Sequence, residues 1–223
     1  MSKTAALTRM SRRTTTFLQL PRRGAVEALW FAALTLLCVS CCSSKNRARP
    51  QVLILNRSVA AWVDDIEITA APNQAAQVLN DAGPHIMPEL TYLLLESTSP
   101  RQQARAAYAM SGICYRHPDT KEVFDAVPAL IRATHNSDAD VRIYSVQALG
   151  ASGKTAQSAA PDLIQATRDS DSGVRTSAVE ALGRIGVGSP ESVAALTAAL
   201  SDTNSDVRIT ARKALDLVQR DHP

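Results

Sequence analysis

The chain has 223 residues, 45% hydrophobic and 20% charged, enough apolar material to bury a core, with a formal charge of +3. That charge is uneven: residues 1–42 hold six of the 24 basic residues (Lys3, Arg9, Arg12, Arg13, Arg22, Arg23) and one of the 21 acids, Glu27. The remainder is slightly acidic, so no basic stripe is left to follow a phosphate backbone, and nucleic acid is excluded as the expected partner.

Aromatic residues make up only 4% of the chain, and alanine is the favoured apolar residue. Alanine has the best intrinsic helix propensity, and its small side chain lets helices approach closely. Closely packed short helices are therefore expected.

At the N-terminus, Arg22 and Arg23 precede an apolar run whose uncharged part, Ala28 to Cys42, spans 15 residues. That is short for a bilayer span of about 20 residues but suits the apolar core of a signal peptide. Three of the four cysteines, Cys38, Cys41 and Cys42, close the run. Val39-Ser40-Cys41-Cys42 resembles a bacterial lipobox, which implies lipidation of Cys41 or Cys42. The fit is imperfect for either: Cys38 stands where Leu is usual for Cys41, and Cys41 takes the small-residue place for Cys42. An uncleaved anchor, ordinary secretion and a cytoplasmic apolar helix remain open, as does a start at Met10. Ser11-Arg12-Arg13 faintly resembles a twin-arginine signal, but Phe17 lies too far downstream. In any exported form the basic flank keeps the N-terminus inside. Residues 1–42 are thus read as signal or anchor, 43–57 as a linker and 58–223 as the folded domain.

Repeats begin weakly. Ser58–Ile66 and Gln74–Ala82 read as a first helical pair, and Ile86–Ser97 with Ala104–Met110 as a second. Three segments then align without gaps at a spacing of 33 residues, starting at Pro128, Pro161 and Ala194. Val-Arg recurs at 141, 174 and 207, and Ala-Leu at 148, 181 and 214. Self-similarity at such a period marks a repeat architecture. In each unit the first helix carries an i, i+1, i+4 apolar face (Leu130, Ile131, Thr134; Leu163, Ile164, Thr167). The triplets Asn136-Ser-Asp138, Asp169-Ser-Asp171 and Asp202-Thr-Asn204 supply turn and N-cap chemistry. The second helix sets Val141, Ser145, Ala148 and Leu149 on one face. Pro128 and Pro161 either open the first helix or kink it. Between Pro88 and Pro128 the spacing is 40, which predicts a longer loop around His117–Thr120.

Val-Arg followed by Ala-Leu-Gly, the Asp-rich turn and the proline of the first helix resemble HEAT-like repeats of the phycobilisome-lyase type, from about Ser58 to Gln219. The resemblance implies an all-α fold, a right-handed α-solenoid of about five HEAT-like helical pairs. It also implies a ladder in which Arg142, Arg175 and Arg208 pair with aspartates of their own or neighbouring turns, such as Asp138, Asp171 and Asp206. The same column could instead offer arginine forks to an acidic partner.

Catalytic chemistry is sparse. Some relatives of this repeat type hold di-iron on repeated His-Glu pairs, but His85, His117, His135 and His222 are followed by other residues. Cys41-Cys42 and the distant Cys114 lack zinc spacing, so no metal or cofactor is expected. Gly183-Arg-Ile-Gly186-Val-Gly188 reads as a helix stop rather than a phosphate loop. Cys114 reads as a small buried hydrophobe, with His117 as its one local base for a reactive pair. Trp62 reads as a cap on the end repeat, or else as a binding hot spot. The expectation is a non-catalytic scaffold that binds a protein or peptide on a solenoid surface, tethered to the outer side of a bacterial membrane. A bilin-lyase-like enzyme and an envelope spacer are the alternatives.

Overall fold

In the computed structural model, which describes residues 52–68, 73–186 and 188–221, short polar side chains start the helices. Asp138 Oδ1 accepts from the amides of Asp140 and Val141, Asp171 Oδ1 from Gly173 and Val174, and Asn204 Oδ1 from Asp206 and Val207. Each satisfies amides that the first turn leaves without a helical partner. Ser58, Ser99 and Ser189 do the same through Ala61, Gln102 and Ser192.

Ten α-helices result among the described residues: α1 (Val59–Asp64), α2 (Gln74–Ala82), α3 (Met87–Glu96), α4 (Pro100–Arg116), α5 (Lys121–Ala133), α6 (Ala139–Ala151), α7 (Ala160–Ala166), α8 (Ser172–Ile185), α9 (Pro190–Ala199) and α10 (Ser205–Asp221). They stack as an α-solenoid in two layers. The second helices α4, α6, α8 and α10 pack side by side in chain order, and each covers its own first helix, α3, α5, α7 or α9. The core is one continuous apolar seam in which equivalent residues of successive units meet; Val141, Val174 and Val207 are fully buried, as are Leu149 and Leu182. Burying each Leu or Val side chain stabilises by about 1.5–3 kcal/mol, and no single pair buries its face alone.

Alanine and glycine set the spacing of the second layer. A Cβ placed on Gly150 would lie 2.9 Å from Ala181 Cα, and one on Gly183 would lie 2.8 Å from Ala214 Cβ. The two prolines take both courses open to them. Pro128 sits inside α5, whereas Pro161 lies in the first turn of α7, after the 3-10 stretch Gly153–Ala159.

The first unit is irregular. The end of α1 meets the start of α4, with Arg105 Nη1 donating to the Asp64 carbonyl at 2.6 Å and Gln102 Nε2 to Asp64 Oδ1 at 2.7 Å. Asp81 of α2 instead meets the far end of α4, accepting from Arg116 Nη1 at 2.8 Å. The two short helices therefore share the flank of α4.

Ahead of them, residues 52–58, most of which the sequence reading assigns to the linker, form a two-stranded hairpin. β1 (Leu53–Ile54) pairs antiparallel with β2 (Arg57–Ser58) through a turn at Leu55-Asn56, where φ is 50° and 62°. Trp62 donates its indole N–H to the Ile54 carbonyl at 3.0 Å, and the Arg57 guanidinium stacks 4.3 Å above the indole ring. Trp62 thus fastens the hairpin over the end unit, which is the capping role.

Residues 1–51, with the signal-like run, Cys38 and the lipidation candidates Cys41 and Cys42, lie outside the described residues. Among the described residues, no helix is long and apolar enough to cross a membrane.

Candidate interaction surface

The arginine column builds two near-identical rungs. Arg142 donates through Nε to Asp169 Oδ2 and through Nη2 to Asp169 Oδ1, both at 2.9 Å. Arg175 holds Asp202 in the same way, at 2.8 and 2.9 Å. In both, Nη1 reaches back to two carbonyls of its own turn: Asn136 and Ser137 for Arg142, Asp169 and Ser170 for Arg175. Asp169 Oδ1 and Asp202 Oδ1 also accept from the amides two residues on, Asp171 and Asn204, at 2.8 Å. Each aspartate thereby locks its own turn and the preceding arginine together. An uncharged rung precedes these: Asn136 Nδ2 donates to Gln103 Oε1, and Gln103 Nε2 donates to the Ser97 carbonyl.

The ladder exists, but its carboxylates are not those anticipated. Asp138 and Asp171 spend their side chains capping α6 and α8. Asp206 is exposed in the first turn of α10 and makes no ion pair among the described residues. The partners Asp169 and Asp202 belong to the next unit's turn, because an arginine in the first turn of a second helix faces the following repeat. Fork bonding to Asp169 and Asp202 raises the pKa of Arg142 and Arg175. Burial works to raise Asp169, yet the Arg142 fork and the Asp171 amide outweigh it and hold the carboxyl below its usual range. The Arg175 fork does the same for Asp202.

Across the second layer runs a groove of about 570 Å³ that spans α2, α4, α6 and α8. Its floor is small (Gly112, Gly150, Ala151, Ala181) and its walls carry Tyr115, Arg116, Glu180 and Arg184. Tyr115 is 69% exposed, and Arg184 pairs with Glu180 at 2.8 Å. Asn80 Oδ1 is buried at one end with no hydrogen-bond partner among the described residues, and Asn80 lies where a side chain on Gly112 would be.

None of these wall residues is prominent in the sequence reading, although two signals were present. The longer spacing before Pro128 lengthens α4 to Arg116 rather than only the loop, and that added turn supplies Tyr115 and Arg116. The second is divergence between otherwise similar units: the positions of Gln147, Glu180 and Lys213, and of Ala151, Arg184 and Leu217, fall in register at the 33-residue period yet differ in chemistry. A cleft on the opposite layer, between α5 and α7, is lined by Thr134, His135, Asp162 and Arg168, and His135 Nε2 is bonded to Asp162 Oδ1 at 2.8 Å.

Cys114 and His117 do not form a reactive pair. The thiol is fully buried, and that burial pushes it up to about 11, offset only in part by the Ser152 side chain. At neutral pH it stays protonated and unreactive.

Comparison with known proteins agrees with the fold. Residues 127–216 match the family model for HEAT repeats. No curated protein matches the chain by sequence. Among solved structures, the complex of CpcE and CpcF of phycocyanin lyase from Nostoc sp. PCC7120 is similar with a TM-score of 0.55 at 20% identity, over 70% of this chain and 95% of that one. An engineered protein is similar with a TM-score of 0.53 at 23% identity, over 73% and 80%. A designed armadillo repeat protein in complex with the peptide (KR)4 is similar with a TM-score of 0.52 at 17% identity, over 72% and 80%. At these identities the likeness is one of fold.

Proposed function

We propose that this protein is a non-catalytic scaffold whose second-layer groove binds a protein or peptide, tethered to a bacterial membrane through a lipidated Cys41 or Cys42. The observation that supports it is the groove itself. Units that repeat their buried residues closely diverge at the positions that line one continuous surface across four helices. Packing demands sameness of the buried columns, whereas a recognition surface demands different chemistry at each step. The small floor admits a main chain, and the exposed Tyr115 is an amphipathic contact of the kind enriched at interfaces. The Val-Arg, Ala-Leu-Gly pattern supports a reading of the repeats as the phycobilisome-lyase type of HEAT repeat. The lyase complex shares its fold likeness with designed proteins, so that likeness supports no transfer of bilin chemistry.

The test is affinity capture on the full chain from envelope extract, with wild type, Tyr115→Ala/Arg184→Glu and the first-layer variant Phe124→Ala compared. The groove variant is expected to lose the retained protein and Phe124→Ala to keep it. Equal retention by all three would move the binding surface elsewhere. For the tether, globomycin during expression is expected to accumulate the unprocessed precursor; normal processing would remove the lipoprotein reading.

A further inference from the structure

We infer that the end face of α10 is a docking site for an acidic segment of a partner protein, with Arg208 as its carboxylate receptor. The two internal rungs show what such an arginine takes: one aspartate, held bidentately by Nε and Nη2, in a turn whose amide two residues on binds the same carboxylate. Arg208 repeats the other half of that arrangement. Its Nη1 donates to the carbonyls of Asp202 at 2.7 Å and Thr203 at 2.9 Å, so the fork is oriented as in Arg142 and Arg175. Among the described residues no carboxylate meets its Nε and Nη2, and the side chain is exposed where the other two are largely buried. Around it, Ile209 is 55% exposed and Leu217 43%, and Leu215 is half-buried although its equivalents Leu149 and Leu182 are fully covered.

A second copy or a further repeat does not suit this face. Where Gly150 and Gly183 let the next second helix approach, α10 carries Asp216, and where Val146 and Val179 are buried it carries the exposed Arg212. Repeat-type packing would press Asp216 into a neighbouring backbone and bury an unpaired guanidinium. The occupant is therefore a segment that brings a carboxylate to Arg208 without laying a helix across Asp216. Arg212, one turn along from Arg208 on the same helix, adds a second positive charge and favours an acidic segment. This deepens the protein-binding reading with a surface separate from the groove, and its test is read at Arg208 itself, so a groove that binds nothing leaves it standing.

The probe is an acetylated, amidated peptide with the sequence of residues 200–206, Leu200-Ser-Asp-Thr-Asn-Ser-Asp206, titrated into the isotope-labelled full chain in mild detergent. The arginine Nε–Hε resonances are followed. The Arg208 resonance is expected to shift saturably at millimolar peptide while those of Arg142 and Arg175 stay in place. A peptide with Asn at the position of Asp202 should bind about tenfold more weakly, because the bidentate charge-assisted pair is lost. Arg208→Lys, which keeps the charge but not the fork, should abolish the saturable shift that the peptide also causes in the neighbouring Ile209 backbone amide, while circular dichroism stays unchanged. No saturable shift, or equal shifts with both peptides, would overturn the assignment. Self-association in sedimentation velocity that Arg208→Lys removes would also overturn it, in favour of a second copy.

Discussion

Cutting one rung should uncouple two repeats, and the Arg175–Asp202 pair is the place to measure it. Both side chains are 14% exposed, so the pair is neither a surface ion pair nor a dry one. At an effective dielectric constant of about 20, two unit charges about 4 Å apart attract by about 4 kcal/mol. Partial desolvation offsets roughly half of that, leaving a coupling of about 2 kcal/mol. Asp202→Ala also frees the Asn204 amide, adding about 1 kcal/mol, so the single variant should cost about 3 kcal/mol. A double-mutant cycle with Arg175→Ala, followed by urea unfolding of the full chain, isolates the coupling from the carbonyl bonds that Arg175 makes in its own turn. Arg208→Ala is the internal control: it loses only the two carbonyl bonds and should cost under about 1 kcal/mol. The coupling should also depend on pH. Asp202 is held below its usual range when folded, so its stabilisation is complete above the unfolded value of about 3.9 and is lost as pH falls through the lower folded value. A coupling below about 0.5 kcal/mol at neutral pH, or one unchanged on acidification, would refute the ladder as the element that joins repeats.

Three further outcomes follow from packing and backbone geometry. Gly150→Ala and Gly183→Ala should each cost about 1–3 kcal/mol, read as a lower thermal midpoint, because the new methyl would press on Ala181 or Ala214. Ser145→Ala should stabilise by about 1 kcal/mol in urea unfolding: its buried hydroxyl has no partner among the described residues, and the equivalent positions Ala106, Ala178 and Ala211 already do without one. Leu55→Gly should raise stability by a few tenths to about 1 kcal/mol, since φ of 50° is strained for leucine and the side chain is 76% exposed; an unchanged melting curve would place the hairpin outside the cooperative unit.

Much of the fold was legible because repetition multiplies a weak signal. One Val-Arg pair means little, but three in register with three Ala-Leu pairs define the second helix, its buried face and its turn. Local chemistry sufficed for the caps, which need only a short acceptor ahead of an apolar run, and Asp138, Asp171 and Asn204 all serve. The ladder was half legible. That Arg142 needs a carboxylate is local, but that it takes Asp169 rather than Asp138 depends on which repeat the first turn faces, a distance across the stack that no sequence separation encodes.

The groove was least legible, for a physical reason that also bears on how such a surface changes. Its wall residues obey no apolar period, since solvent tolerates any side chain there. In this chain the irregularities supply one side of the groove: an added turn on α4 brings Tyr115 and Arg116, and a broken first unit brings Asn80. The core columns constrain each repeat to resemble its neighbours, so variation is left to positions and insertions that the core does not hold. Changes at Tyr115, Gln147 or Arg184 can therefore alter the groove without disturbing the stack, whereas changes at Gly150 or Ala181 cannot.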